Sequence, residues 1–175
     1  MIKFLINPNY DVKAPERDDG NGGIDFFIPN YTETFEKAFN EKNLSINAYL
    51  EHTADGVFII IPAHGRANIP SGIHSYISAN VALEAQNKSG IATKLGLVYG
   101  ASVIDSNYTG LIHLSMINTT SDTVKLPLGM KIVQFLPRLI DISPIEVYNN
   151  MSLDEFYKDF AFSNRGDGAF GSTGV

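Results

Sequence analysis

The chain has no cysteine among its 175 residues. That absence excludes a disulfide framework, a thiolate metal site and a cysteine nucleophile. Long apolar runs are missing too: residues 57–62 form one of the longest, far short of the ~20 needed to span a bilayer. The first eight residues, Met1 to Pro8, carry one charge and a short apolar run, unlike a signal peptide. Positive charge is in deficit, with 13 Lys and Arg against 19 Asp and Glu and a net charge of −6. No basic face for a general grip on nucleic acid is expected from that balance. Internal repeats and low-complexity blocks are absent. The four histidines, His52, His64, His74 and His113, are scattered and read as structural rather than as a metal cluster. The expectation is an acidic cytoplasmic protein of one β domain, with no nucleic-acid or membrane partner.

What is there is an ordinary globular composition, 44% hydrophobic and 18% charged, in a chain long enough for one substantial core. Residues 2–6 read as an edge or exchanged strand ended by Asn7-Pro8-Asn9. A polar, glycine-rich loop covers 16–23, and the apolar stretch 24–28 has Asp25 inside it. Asn30-Tyr31-Thr32-Glu33 resembles a helix start, and Phe35, Ala38, Phe39 and Lys42 continue at helical spacing, predicting a helix over 32–42. From there short apolar runs at 45–50, 57–62, 72–78, 96–98, 111–117, 123–126 and 131–135 alternate with Gly, Pro, Asn and Ser turns. That spacing predicts a compact barrel or jelly roll. Ser152-Leu153-Asp154-Glu155 is a capping-box pattern opening one short helix.

Four stretches carry chemistry. Val103 and Ile104 lead into Asp105-Ser106-Asn107 and on through Tyr108 to Gly110, which reads as a strand entering a hairpin whose return strand is 111–117. Alone, such a hairpin is usually only structural, since an Asp entering a turn commonly hydrogen-bonds its own backbone. Gln86-Asn87-Lys88-Ser89-Gly90 groups an amine, a hydroxyl and a glycine amide, donors suited to an anion. Gln134 interrupts the apolar run of 131–135, and a buried glutamine needs partners. The tail from Ser163 to Val175 holds Arg165, Phe170, Ser172 and Thr173 among glycines. It reads equally as a frayed end or as a lid whose guanidinium and hydroxyls close on phosphate while Phe170 stacks on a base.

Taken in order, these stretches resemble the five motifs of the homotrimeric dUTPase family: Gly23-Ile24-Asp25-Phe26, Lys88-Ser89-Gly90, the run from Val103 to Gly110, Gly129-Met130-Lys131-Ile132-Val133-Gln134, and the run from Arg165 to Gly174. The resemblance implies a jelly-roll-like distorted β-barrel with one or two short helices, a trimer with an exchanged C-terminal arm, and hydrolysis of dUTP to dUMP and pyrophosphate with Mg²⁺. It implies a β domain over 1–162, with 31–56 an insertion bearing the helix, and a mobile arm, 163–175, closing over the site. Asp105 would be the general base. Tyr108 would exclude a 2′-hydroxyl, and the backbone around Gly100, Val103 and Ile104 would read uracil. Ser89 and Gly90 would hold the phosphate chain with Lys88 nearby, and Gln134 would help position substrate or water. Arg165, Gly171, Ser172 and Thr173 would close on the γ-phosphate with Phe170 over the base. Asp25 would act on the metal through water. Each site would draw on three chains.

The chain departs from the family where Lys88 replaces arginine, a point charge in place of a rigid fork. Asn87 replaces proline, Asn107 and Thr109 flank Tyr108 in place of an acid and a longer polar residue, and Ala169 replaces glycine. The insertion 31–56 reads as surface decoration or a protein-partner site. Two rivals accompany the dUTPase reading. A dCTP deaminase would need a glutamate where Ser115 stands, and a trimeric binding or regulatory protein would not need the whole residue set.

Overall fold

The computed structural model describes residues 1–160, which fall into two units, 1–141 and a second beginning at Ile142. The first unit is built almost wholly of antiparallel strands, arranged in four small sheets around one core. This is the mainly β, jelly-roll-like architecture expected.

Strand β1 (Ile2–Ile6) pairs antiparallel with β6 (Ile73–Ile77) of the same chain in a two-stranded sheet, an edge strand as expected. The second sheet runs β2 (Ile24–Phe27), β12 (Lys131–Leu139), β7 (Val81–Asn87), β9 (Val103–Ile104). The third places β4 (Gly56–Ile61) between β3 (Tyr49–Thr53) and β11 (Val124–Pro127). The fourth places β10 (His113–Asn118) between β5 (Arg66–Pro70) and β8 (Leu97–Tyr99). Alternation along β2 sends Ile24 and Phe26 inward; Phe26 meets Phe135 edge-on at 4.8 Å and Phe4 at 5.4 Å between ring centres.

Helix α1 (Glu33–Asn43) starts at Thr32, whose hydroxyl accepts the Phe35 amide at 3.0 Å. Its Phe35 and Phe39 are fully buried. Buried Asn43 donates from Nδ2 to Asn68 O at 3.0 Å and accepts the Asn68 amide at 2.9 Å, locking the helix end to β5. The decoration reading is therefore corrected: burying two phenyl rings makes α1 part of the core.

The hairpin reading is corrected as well. β9 pairs with β7 through Leu83↔Ile104 and Glu84↔Val103, whereas β10 pairs with β5 and β8. The turn at Asp105 thus joins two different sheets. The polar cluster at Lys88-Ser89-Gly90 also proves to open a third helix, α2 (Ser89–Leu95), closed by Gly96 at φ 61°. β5 and β7 went unread because Arg66, Asn68, Glu84 and Gln86 break up their apolar signal.

In the second unit, α3 (Leu153–Phe160) begins with the expected reciprocal cap: Ser152 N donates to Glu155 Oε2 at 3.0 Å, and Glu155 N to Ser152 Oγ at 3.3 Å. Among the described residues no helix is long and apolar enough to cross a membrane.

Candidate active site

Asp25 lies on the outward face of β2, only 14% exposed, with Gln134 opposite it on β12. Two ammonium groups converge on its carboxylate: Lys88 Nζ donates to Oδ1 at 2.5 Å, and Lys131 Nζ to Oδ2 at 2.8 Å. Lys131 also reaches Glu16 Oε1 at 2.9 Å, and Glu16 Oε2 pairs with Lys13 at 2.6 Å. The backbones of Glu16 and Asp25 exchange both hydrogen bonds, at 3.1 and 2.7 Å, which fixes the entering loop against β2.

These charges set one another's titration. Burial alone would raise the Asp25 carboxyl, but the hydrogen bonds from Lys131 and Lys88 outweigh it and hold the group below the usual carboxylate range. Hydrogen bonds from Lys13 and then Lys131 pull Glu16 down. Lys131, bonded to Asp25 and then Glu16, is pushed up and stays charged.

Gln134 is half-buried, and its Nε2 donates to the Asn87 carbonyl at 3.0 Å. Its other amide atom, Oε1, faces Gly23 so closely that a Cβ at position 23 would lie 2.2 Å from it. Asn87 accepts from Gln134 on its carbonyl and from the Tyr99 amide on Oδ1 at 2.9 Å. A proline could not supply that second, side-chain acceptor.

Two adjoining cavities share Lys88, Lys131 and Gln134. One, about 560 Å³, is walled by Asp18, Asn21, Gly22, Gly23 and Asp25; the other, about 290 Å³, by Ser89, Gly90 and Ile91. Ser89 and Gly90 are exposed and open α2, where amides lack an intrahelical acceptor, and a Cβ at Gly90 would meet open space. Ammonium, amide and hydroxyl donors on one wall suit a polyanion of phosphoryl groups. No group of three or more His, Asp or Glu able to cage a metal occurs among the described residues. Asp18 and Asp25 are the carboxylates in the cavity wall, too few to cage a cation by themselves, which fits a Mg²⁺ that would keep several waters.

The other predicted residues lie elsewhere. Asp105 is exposed, and its carbonyl accepts the Tyr108 amide at 3.1 Å. Tyr108 Oη donates to Leu111 O at 2.8 Å, and its ring lies flush against Gly110, where any Cβ would overlap it. The Gly100 amide donates to Ser115 O at 2.8 Å, the Ser102 carbonyl accepts from Ala85, and Val103 is exposed. With Ile104 opposite Leu83, the next step sets Asp105 across from Ala82, six positions along the strand from Lys88. At ~3.3 Å per residue that is about 20 Å. One chain therefore brings Asp25, Lys88, Ser89, Gly90 and Gln134 together and sets Asp105, with the Tyr108 bonded to its carbonyl, apart from them, while Gly100 follows Tyr99, whose amide bonds Asn87 beside the cavity. Arg165, Phe170, Gly171, Ser172 and Thr173 lie outside the described residues.

Lys131 and Glu16 are the members that sequence reasoning missed. A lysine beside a glycine turn gives no periodic signal, and Glu16 reaches the site only because its loop folds back on β2.

The dUTPase family model matches residues 54–174. The deoxyuridine 5′-triphosphate nucleotidohydrolase of Yarrowia lipolytica is 30% identical over 115 residues, 66% of this chain and 69% of its own. The tomato enzyme of the same name is 26% identical over 156 residues, 89% of this chain and 85% of its own. Among solved structures, a Staphylococcus bacteriophage 80alpha dUTPase mutant with dUpNHpp superposes with a TM-score of 0.71 at 16% identity, covering 100% of this chain and 99% of that one. The EIAV dUTPase superposes at 0.59 with 20% identity, over 87% and 100%. The chain belongs to the dUTPase family.

Proposed function

We propose that the protein hydrolyses dUTP to dUMP and pyrophosphate, in a site assembled from three copies of the chain. The observation that carries a site divided between copies is the register of β9 on β7, which, continued one step, sets Asp105 six positions from Lys88, about 20 Å at ~3.3 Å per residue. A phosphate-binding wall without a base, and a base without a phosphate-binding wall, become one site when a second copy supplies the missing half.

In that site Lys88, the amides of Ser89 and Gly90, and Gln134 hold the triphosphate. Asp105, exposed at the end of β9, accepts a proton from a water whose oxygen attacks the α-phosphorus. The bond from that phosphorus to the bridging oxygen breaks, and pyrophosphate leaves. A carboxylate suits this work because it takes the proton without itself being displaced. Tyr108, pinned by its hydroxyl to Leu111 O, gives the sugar pocket a fixed floor that leaves no room for a 2′-hydroxyl. Backbone groups around Gly100, Val103 and Ile104 read the uracil edge. The arm, 163–175, brings Arg165, Ser172 and Thr173 to the γ-phosphate, with Gly171 among them and Phe170 over the base. Mg²⁺ on the triphosphate would neutralise charge there, with Asp25 reaching it through water. A protein partner at 31–56 would meet the outward Lys37, Asn40 and Glu41, since the inner face of α1 is committed to the core.

The test is product analysis with Mg²⁺, supplying dUTP, dCTP, dTTP and UTP separately. Pyrophosphate from dUTP alone is expected. Ammonia from dCTP would put deamination in its place, and no product from any nucleotide would leave a binding protein.

A further inference from the structure

Plain alternation along β12 would put Lys131 and Gln134 on opposite faces, because they are three positions apart. They share a face. Lys131 pairs with Phe27, Val133 with Phe26 and Gln134 with Asp25, so Ile132 is an extra residue, inserted by a bulge. Ile132 and Val133 both point into the core, fully buried. The bulge turns Lys131 outward onto the face of Asp25 and Gln134, and its ammonium lies 5.5 Å from the centre of the Phe27 ring.

The two lysines of the site are held differently. Lys88 has one carboxylate partner, Asp25, through a single oxygen. Lys131 has two, Asp25 and Glu16, on separate segments. A polyanion entering the cavity competes for both ammonium groups, and the one with a single partner moves at lower cost. When Lys88 transfers to phosphate, Asp25 keeps a counter-charge only if Lys131 stays.

We infer that Lys131 is a positioning residue: it holds Asp25 and the Glu16 loop so that Lys88 is free to pass from Asp25 to the incoming phosphate. It acts through Asp25 and Glu16 rather than on the reacting atoms. Without it, Lys88 becomes the sole partner of Asp25 and is withheld from the substrate. The inference rests on the reading of this cavity as the triphosphate site.

The experiment compares Lys131→Met, Lys131→Arg and Glu16→Gln with the wild-type protein, in dUTP turnover and in calorimetric binding of a non-hydrolysable dUTP analogue. Lys131→Met is expected to raise KM and the analogue's Kd about tenfold, the scale of one charge-assisted hydrogen bond, with kcat within about twofold. Lys131→Arg, which keeps the charge and both contacts, is expected to restore KM. Glu16→Gln removes one anchor without touching the core; it is expected to raise KM in the same sense, and it serves if Lys131→Met fails to fold. A fall in kcat at unchanged KM, an arginine variant as impaired as the methionine one, or Glu16→Gln indistinguishable from wild type would each overturn the inference. Wild-type protein inert toward dUTP would instead remove the reading beneath it.

Discussion

Gly23 and Gln134 are in direct contact across the β2–β12 pair, close enough that a Cβ on residue 23 would lie 2.2 Å from Gln134 Oε1. The overlap is with the far end of a flexible side chain, so the fold can relieve it by moving the amide. Gly23→Ala should cost under about 1 kcal/mol of stability. The displaced amide loses its bond to the Asn87 carbonyl, and dUTP turnover should fall about tenfold or more, the scale of one lost hydrogen bond. Thermal unfolding and steady-state kinetics on one preparation separate the two effects.

Asp105→Asn should lower turnover by roughly two to four orders of magnitude, the range over which a general base contributes. Because Asp105 is exposed and its link to Tyr108 runs through its own backbone carbonyl, the fold and binding of a non-hydrolysable analogue should be preserved. An active variant would remove Asp105 from the base's role.

Deleting 163–175 should impair turnover while leaving the strands of 1–141 intact. Circular dichroism and pyrophosphate release measured together decide it: full activity in the truncated protein would show that the arm contributes nothing to catalysis.

Asn118 is buried at the end of β10, where Nδ2 donates to the carbonyls of Pro62 at 2.9 Å and Asp122 at 2.8 Å, with Ile61 O at 3.1 Å. Its Oδ1 accepts the Thr120 amide at 3.0 Å. Asn118→Ala removes this set of bonds from a buried side chain and leaves a cavity in its place, and should cost about 2–4 kcal/mol in urea unfolding.

His113 is half-buried on β10, and burial first, then the charge of Lys42, holds its imidazole below the ordinary value near 6.5 despite a hydrogen bond with the Leu111 backbone. Below that ordinary value the unfolded chain binds a proton that the folded chain resists. Stability should therefore decline as pH falls from about 6.5 toward the depressed folded value. Asp25 and Glu16, both depressed, add stability that is present above their ordinary carboxylate values and lost only as pH falls further. His113→Gln should flatten the first decline and leave the second, as read from unfolding midpoints between pH 7 and pH 3.

Much of the fold was legible where side chains reported their own environment. Thr32 and the Phe35/Phe39 spacing marked α1, Ser152 and Glu155 marked α3, and the alternating runs marked most strands. Pairing was not legible. Val103–Ile104 and 111–117 read as one hairpin because they are adjacent in sequence, but β9 completes the sheet of β7 while β10 lies between β5 and β8. The burial of α1 was hidden for a related reason: its two phenylalanines tell that the helix has an inner face, not what covers it. In the site, residue types were readable and distances were not. Lys88 and Gln134 could be named from the chain, but the ion pair to Asp25, the bulge at Ile132 and the distance to Asp105 depend on register, which local sequence does not encode.

The most direct test of a site divided between copies is complementation. Asp105→Asn and Gln134→Ala proteins are each nearly inactive on this account, one lacking the base and the other a phosphate-holding amide. Co-refolded, they should form mixed trimers in which some sites receive an intact Asp105 from one copy and an intact Gln134 from another, and pyrophosphate release from dUTP should return. If the mixture stays as inactive as its parents, although mixed trimers are shown to form, Asp105 and the cationic cavity do not meet across copies and the assembled site is wrong.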